Sequence, residues 1–305
     1  MIRFTDIESS ELSKEYGVGI FFQSCETRFD AIFNQLIKDG VCFLRIIIIV
    51  EENPLEVKFN TDNLNVNVIS YGEKEKVSEL LDGFLEEGHS FLVDYSCMGR
   101  NVMADIVARF DLFSQINNEN VNVDFGYAHA EFSKPLDDYG PVIDNGYINE
   151  YFIGDDILSS NPSSCVLGVG YEREIALGVI EDLEPSMLVI FHPTGHDEKY
   201  TDEIKNANAD LISTVKEANR VYYNIHSPEN TYIKLCGTLK GLSATTSPVI
   251  ITLGPKVFTL AALLCCCAFE TQFGIWRIAP KRLESSRDRK FNGQISYNRA
   301  EWIIG

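Results

Sequence analysis

The chain has 305 residues, 45% of them apolar, and carries 26 Lys and Arg against 45 Asp and Glu for a net charge of −19. That length supports one large or two modest domains, and the apolar content is that of a globular protein. The negative field excludes extended nucleic acid and anionic membrane as partners over most of the surface, yet leaves room for one small phosphate ligand in a local basic pocket.

The first residues, MIRFTDIESSELSKEYG, have no apolar core behind a basic start and do not form a secretory signal. Residues 1–16 read as a polar lead. Val18–Phe22 is a strand, followed by a turn through Glu26 and Arg28 and a helix to Ile37. The β-branched run Arg45–Val50 reads as a central strand buried on both faces, as parallel sheets require. Val66–Ser70 is the next strand. Val77, Leu80, Leu81 and Phe84 then make an apolar stripe at helical spacing within 75–87. Phe91–Asp94 is a strand, a helix runs to about Phe113, and Val121–Phe125 closes the first half.

Residues 133–163 gather Asp137, Asp138, Asp144, Glu150, Asp155 and Asp156 among Pro, Gly and Asn. They read as a long acidic connection with a short strand near Tyr151 and Phe152. The second half restarts with strands at Cys165–Val169 and Met187–Phe191, with a helix between them ending at Leu183. A strand at Arg220–Asn224, a helix at Tyr232–Leu242, the strand Val249–Leu253, a helix from Val257 and the strand Gly274–Ile278 complete it. Strands alternating with helices imply right-handed crossovers and a mainly parallel sheet. The expected fold is α/β, with two Rossmann-like halves related by a pseudo-twofold internal repeat. The halves are residues 1–132 and 164–280, joined by the connection 133–163 and followed by a basic tail, 281–305. Lys281, Arg282, Arg287, Arg289, Lys290 and Arg299 mark that tail, where 294–297 or 302–304 can add an edge strand.

The apolar stretch 249–269 is long enough to raise a membrane span, but Pro255 and Lys256 interrupt it and no flank anchors it. The eight cysteines form no C-x-x-C pair and mostly sit in apolar runs, the pattern of free thiols in a reducing cytoplasm. No metal site and no cofactor are expected.

The stretch Pro248–Cys267 organises the chemistry. A buried strand ends at Thr252, turns through Gly254-Pro255-Lys256 and reopens as a helix. Such a turn aims the first N–H groups of the helix at one point, where the helix dipole and Lys256 add positive charge. The same form recurs at Val93–Ile106, where Ser96 and Arg100 fall in the places of Thr252 and Lys256, and Gly99 lies in the turn between them. Arg holds phosphate bidentately, and the two hydroxyls are suited to donate. Gly168, Gly170, Glu172 and Arg173 sit at a strand-to-helix switch that lacks the third glycine and the ribose carboxylate of a dinucleotide fingerprint. Glu26 and Arg28 occupy the related place in the first half. His192, His196 and His226 follow strands and, with Glu172, are the candidates for acid–base chemistry.

Thr252-Leu253-Gly254-Pro255-Lys256, and more loosely Ser96-Cys97-Met98-Gly99-Arg100, resemble the ligand-site turns of CRISPR-associated Rossmann-fold (CARF) sensor domains. Pro255 stands where those turns often carry Thr. Two such units in one chain are similar to the tandem arrangement of SAVED sensors, and the resemblance implies a cyclic-oligonucleotide ligand. The expected function is a cytoplasmic sensor or regulatory protein, with a bacterial defence system as its candidate setting, that binds a nucleotide or other phosphate-bearing molecule and acts on a protein partner or effector in trans. The alternatives are a nucleotide-processing enzyme, or a non-catalytic subunit of a larger defence assembly.

Overall fold

The computed structural model describes residues 1–50, 57–60, 64–135, 141–154, 161–172, 175–195, 197–269, 273–280 and 288–304. In chain order its first elements are β1 (Ile2–Ile7), β2 (Glu15–Gln23), α1 (Ala31–Lys38), β3 (Cys42–Val50), β4 (Val66–Ser70), α2 (Lys74–Glu86), β5 (Phe91–Asp94), α3 (Arg100–Asn117) and β6 (Val121–Ala130). There follow β7 (Val142–Tyr147), β8 (Ser163–Gly168), α4 (Ile175–Leu183), β9 (Met187–Thr194), α5 (Glu198–Ala207), α6 (Ala209–Thr214), β10 (Arg220–Asn224), α7 (Pro228–Leu242), β11 (Ser247–Thr252), α8 (Lys256–Ala268), β12 (Gly274–Pro280) and β13 (Phe291–Trp302). The chain divides into two compact units, Met1–Glu131 with Ser286–Gly305, and Phe132–Ser285.

Among the described residues the strands form a seven-stranded sheet, β1-β13-β6-β5-β2-β3-β4, and a six-stranded sheet, β10-β9-β8-β11-β12-β7. In the first sheet β2 pairs in parallel with β3 and β5, β3 with β4, and β5 with β6. In the second, β8 pairs in parallel with β9 and β11, β9 with β10, and β11 with β12. Counted along the chain, the parallel strands of each sheet therefore lie in the order third, second, first, fourth, fifth. This is the doubly wound order, and its recurrence is the internal repeat that element order predicts. The run Ile46–Val50 is buried at every residue, as a strand covered on both faces must be.

In the first unit the N-terminal lead and the C-terminal tail are not peripheral. β1 pairs antiparallel with β13, and β13 pairs antiparallel with β6, so β13 is an internal strand and not an added edge. Polar pairs specify its place. Asn298 Nδ2 donates to Asp6 Oδ1 at 2.6 Å, and Trp302 Nε1 donates to the buried Asp111 at 2.8 Å. Arg299 grips both carboxylate oxygens of buried Asp124 at 2.7 and 2.8 Å, and Tyr16 donates its hydroxyl to the same carboxylate at 2.5 Å. Arg299 thus belongs to the sheet and not to a solvated basic arm. Lys281, Arg282 and Arg287 lie outside the described residues.

The second unit absorbs most of the acidic connection. β7 pairs antiparallel with β12, and the pairing is reinforced by Trp276 Nε1 donating to Asn145 Oδ1 at 2.5 Å and by an ion pair of Arg277 with Asp144. The strand expected near Tyr151 and Phe152 is a turn. Phe152 is nonetheless fully buried, and its carbonyl accepts from Ile275 N at 2.9 Å. Asp137, Asp138, Asp155 and Asp156 lie outside the described residues. Helix α8 is buried from Val257 to Cys267, which explains its unbroken apolar sequence. Among the described residues no helix is long and apolar enough to cross a membrane.

Candidate functional sites at the carboxyl ends of the parallel strands

In a doubly wound sheet ligands bind outside the carboxyl ends of the strands, where the strand order reverses. That point lies between β2 and β5 in the first unit and between β8 and β11 in the second. Each of these second strands leads into a helix whose first residue is a cation: Arg100 opens α3 and Lys256 opens α8. Neither helix has a side-chain N-cap, because Gly99 and Pro255 hold the cap positions. The cap residues themselves therefore offer no side-chain acceptor to the first turn of either helix.

In the first unit the loop after β2 carries Arg28, whose side chain is buried to 1% exposure. Its guanidinium donates to Glu26 Oε2 at 2.7 Å, to the Ser96 carbonyl at 3.0 Å and to the Ala128 carbonyl, and lies 5.5 Å over the Tyr127 ring. One planar fork thus ties together the ends of β2, β5 and β6, a task suited to Arg and not to Lys. The Ser96 hydroxyl donates to Asp94 Oδ1 at 2.5 Å and accepts from Ala128 N at 2.7 Å. Cys97 Sγ adds a weak contact to Glu26 at 3.8 Å. Glu26, Arg28 and Ser96 form a single hydrogen-bonded knot.

In the second unit the approach is backbone to backbone. Leu253 N and Gly254 N both donate to the Gly168 carbonyl, at 3.1 and 2.9 Å. A Cβ at Gly254 would come within 2.5 Å of the Val169 carbonyl, and one at Gly168 within 2.3 Å of the Phe258 ring. A Cβ at Gly170 would meet the Leu253 carbonyl at 2.9 Å and Glu172 Oε2 at 2.2 Å. These glycines allow the two turns to touch, which is why the pattern resembles half of a nucleotide fingerprint. The Gly170 carbonyl is held by buried Asn208 Nδ2 at 2.8 Å. Thr252 is fully buried and its hydroxyl donates to the Trp276 carbonyl at 3.4 Å.

The residues read from the sequence as ligand contacts therefore divide. The guanidinium of Arg28 and the hydroxyls of Ser96 and Thr252 are engaged in bonds within their own units. Gly99, Arg100, Gly254 and Lys256 form the turns that open α3 and α8, and Glu172 is half-buried against Gly170. Arg173 and His196 lie outside the described residues.

His192 is 3% exposed on β9, with Nδ1 at 3.1 Å from the Pro193 carbonyl and its ring against Tyr222. Burial lowers its pKa below the ordinary value. His226 is half-buried beyond β10. Its backbone N–H donates to Asn224 Oδ1 at 2.9 Å, and Ser227 caps α7 through Asn230 N at 3.4 Å. Among the described residues no group of three or more His, Cys, Asp or Glu is placed to hold a metal ion.

Sequence reasoning passed over Asp94 and Tyr95. Both are buried at the end of β5, and Tyr95 stacks on Tyr127 at 5.0 Å. Burial raises the Tyr95 hydroxyl far above its usual range, and that hydroxyl has no hydrogen-bond partner among the described residues. The signal was a polar Asp94-Tyr95-Ser96 step directly after the apolar Phe91–Val93.

The sequence matches no family model and no curated protein. Among solved structures, the chain matches a putative universal stress protein from Pseudomonas aeruginosa UCBPP-PA14. The TM-score is 0.26 and the identity 8%, over 87% of this chain and 94% of that one.

Proposed function

We propose that the protein binds a nucleotide or another phosphate-bearing small molecule and serves as a sensor or regulatory protein, signalling to a protein partner in trans. One observation carries the reading. In each unit the helix after the fourth parallel strand begins with a cation, lacks a side-chain cap and starts beside the point where strand order reverses. An anion there is stabilised by the helix dipole, by first-turn N–H groups and by a full positive charge on a protein otherwise negative overall. Phosphate contacts are assigned to Arg100 and Lys256 and to the backbone N–H groups of the turns beside them, with Glu172 reading the rest of the ligand in the second unit. Ser96, Thr252 and Arg28 support those turns from behind. In this reading the chain is a tandem CARF-like sensor in the cytoplasm, and cyclic oligonucleotides head the ligand panel.

The test is a thermal-shift screen of mono-, di- and cyclic nucleotides on wild type, Arg100→Ala and Lys256→Ala. A ligand at about a hundred times its dissociation constant adds about 2.7 kcal/mol of stability. The reading expects a shift in wild type that is lost in one or both variants. A cooperative melt that no nucleotide moves would refute it.

A further inference from the structure

Helices α7 and α8 bring two thiols together that the proposed ligand sites do not use. Cys236 Sγ and Cys265 Sγ lie 2.6 Å apart. Cys236 is half-buried and Cys265 fully buried. A disulfide bond is about 2.05 Å long, so little movement separates the pair from bonding. The pairing is selective. Cys265, Cys266 and Cys267 follow one another in α8, and successive helical residues point about 100° apart, so the three do not present their sulfurs alike, and Cys265 is the one that meets Cys236. Cys266 turns elsewhere and donates to the Phe273 carbonyl at 3.4 Å. Tyr232, one turn before Cys236 on α7, completes the cluster. Its hydroxyl is pushed up by burial and by the neighbouring thiols.

We propose that Cys236 and Cys265 form a reversible peroxide-responsive modification site that staples α7 to α8. Hydrogen peroxide reaches the partly exposed Cys236 first. Its sulfur attacks one peroxide oxygen, the O–O bond breaks, and Cys236 sulfenic acid and one water result. Cys265 Sγ then attacks the Cys236 sulfur, and the S–O bond breaks. The hydroxyl leaves with the Cys265 proton as a second water. Two thiols and one peroxide thus give one disulfide and two waters, the sulfurs being oxidised and the peroxide reduced. Cys265 is fully buried and Cys236 is not, so peroxide meets Cys236 first and Cys265 is left beside it as the resolving group.

The test treats the full-length chain with excess hydrogen peroxide, blocks remaining thiols with N-ethylmaleimide and maps tryptic peptides by mass spectrometry. The expected result is peptide 235–240 joined to peptide 257–277, two hydrogens lighter than their sum once the N-ethylmaleimide groups on Cys266 and Cys267 are allowed for, with fragmentation placing the bond at Cys265 and dithiothreitol reversing it. Cys265→Ser is expected to lose the cross-link and leave Cys236 sulfenic acid open to dimedone. Four results would overturn the proposal: Cys236 left unmodified, Cys236 over-oxidised without a cross-link, Cys236 joined to Cys266 or Cys267, or an undiminished cross-link in Cys265→Ser. Should that variant fail to fold, the wild-type map decides alone.

Discussion

Replacing Arg28 separates a structural brace from a ligand contact. Arg28→Met keeps the length and much of the volume of the side chain but removes every donor. The change strips hydrogen bonds from two strand-end carbonyls, Ser96 and Ala128, and from a Glu26 side chain that is only 15% exposed. Breaking one partner out of a buried charge pair costs about 3–5 kcal/mol, because the group left behind stays desolvated. An orphaned buried carbonyl costs about 1–3 kcal/mol where water cannot replace the lost donor. We take about 4 kcal/mol as the total for the first unit, since some water will enter. At a urea slope of about 2 kcal/mol per molar, its midpoint falls by about 2 M. Arg28→Lys retains the charge but not the fork, and lies between the two. The assay is urea unfolding without ligand, followed by far-ultraviolet circular dichroism and by exchange of first-unit amides. A loss of under about 1 kcal/mol in Arg28→Met, with nucleotide binding abolished, would refute the brace and make Arg28 a binding residue.

Two further outcomes follow from the structure. Burial holds the His192 pKa below the ordinary 6.5, so beneath that pH the unfolded chain takes up a proton that the folded chain refuses. The stability of the neutral, buried ring is intact above pH 6.5 and is lost as the pH falls through the folded value. Denaturation across that range has a shallower acid slope in His192→Gln than in wild type, and identical slopes would contradict the buried-neutral assignment. Deleting residues 286–305 removes β13 from between β1 and β6. The first unit then loses its cooperative transition in calorimetry, whereas a dispensable basic tail predicts an unchanged melt.

Most of the parallel core was legible from the chain alone. Runs such as Arg45–Val50 and Val249–Leu253 admit few other readings, because continuous apolar strands bounded by turn residues need cover on both faces. The helix starts at Arg100 and Lys256 were legible too, since glycine or proline after a buried strand stops one element and opens another. Of the antiparallel strands only part of β13 was, at 294–297 or 302–304, and then as an edge strand and not the internal one it is. β1, β7 and β13 are polar, and their places rest on partners far away in sequence: Asp6 with Asn298, Asp124 with Arg299, Asp111 with Trp302, Asn145 with Trp276. Hydrophobic period carries no trace of such pairs, so a polar lead and a basic tail were the natural local reading.

The same division holds at the candidate sites. Residue type and spacing determined that small polar, glycine and cationic residues cluster at two strand-to-helix turns. Only the tertiary structure decided which of them face inward. Ser96, Thr252 and Arg28 have the chemistry of ligand contacts, but the strand ends beside them carry buried carbonyls and carboxylates that must be satisfied, and those claims come first. Cys265 shows the converse: three adjacent cysteines are equivalent in sequence, and the angle at which α8 meets α7 singles out one. A side chain's composition is local, but its partner is set by packing between elements distant in the chain.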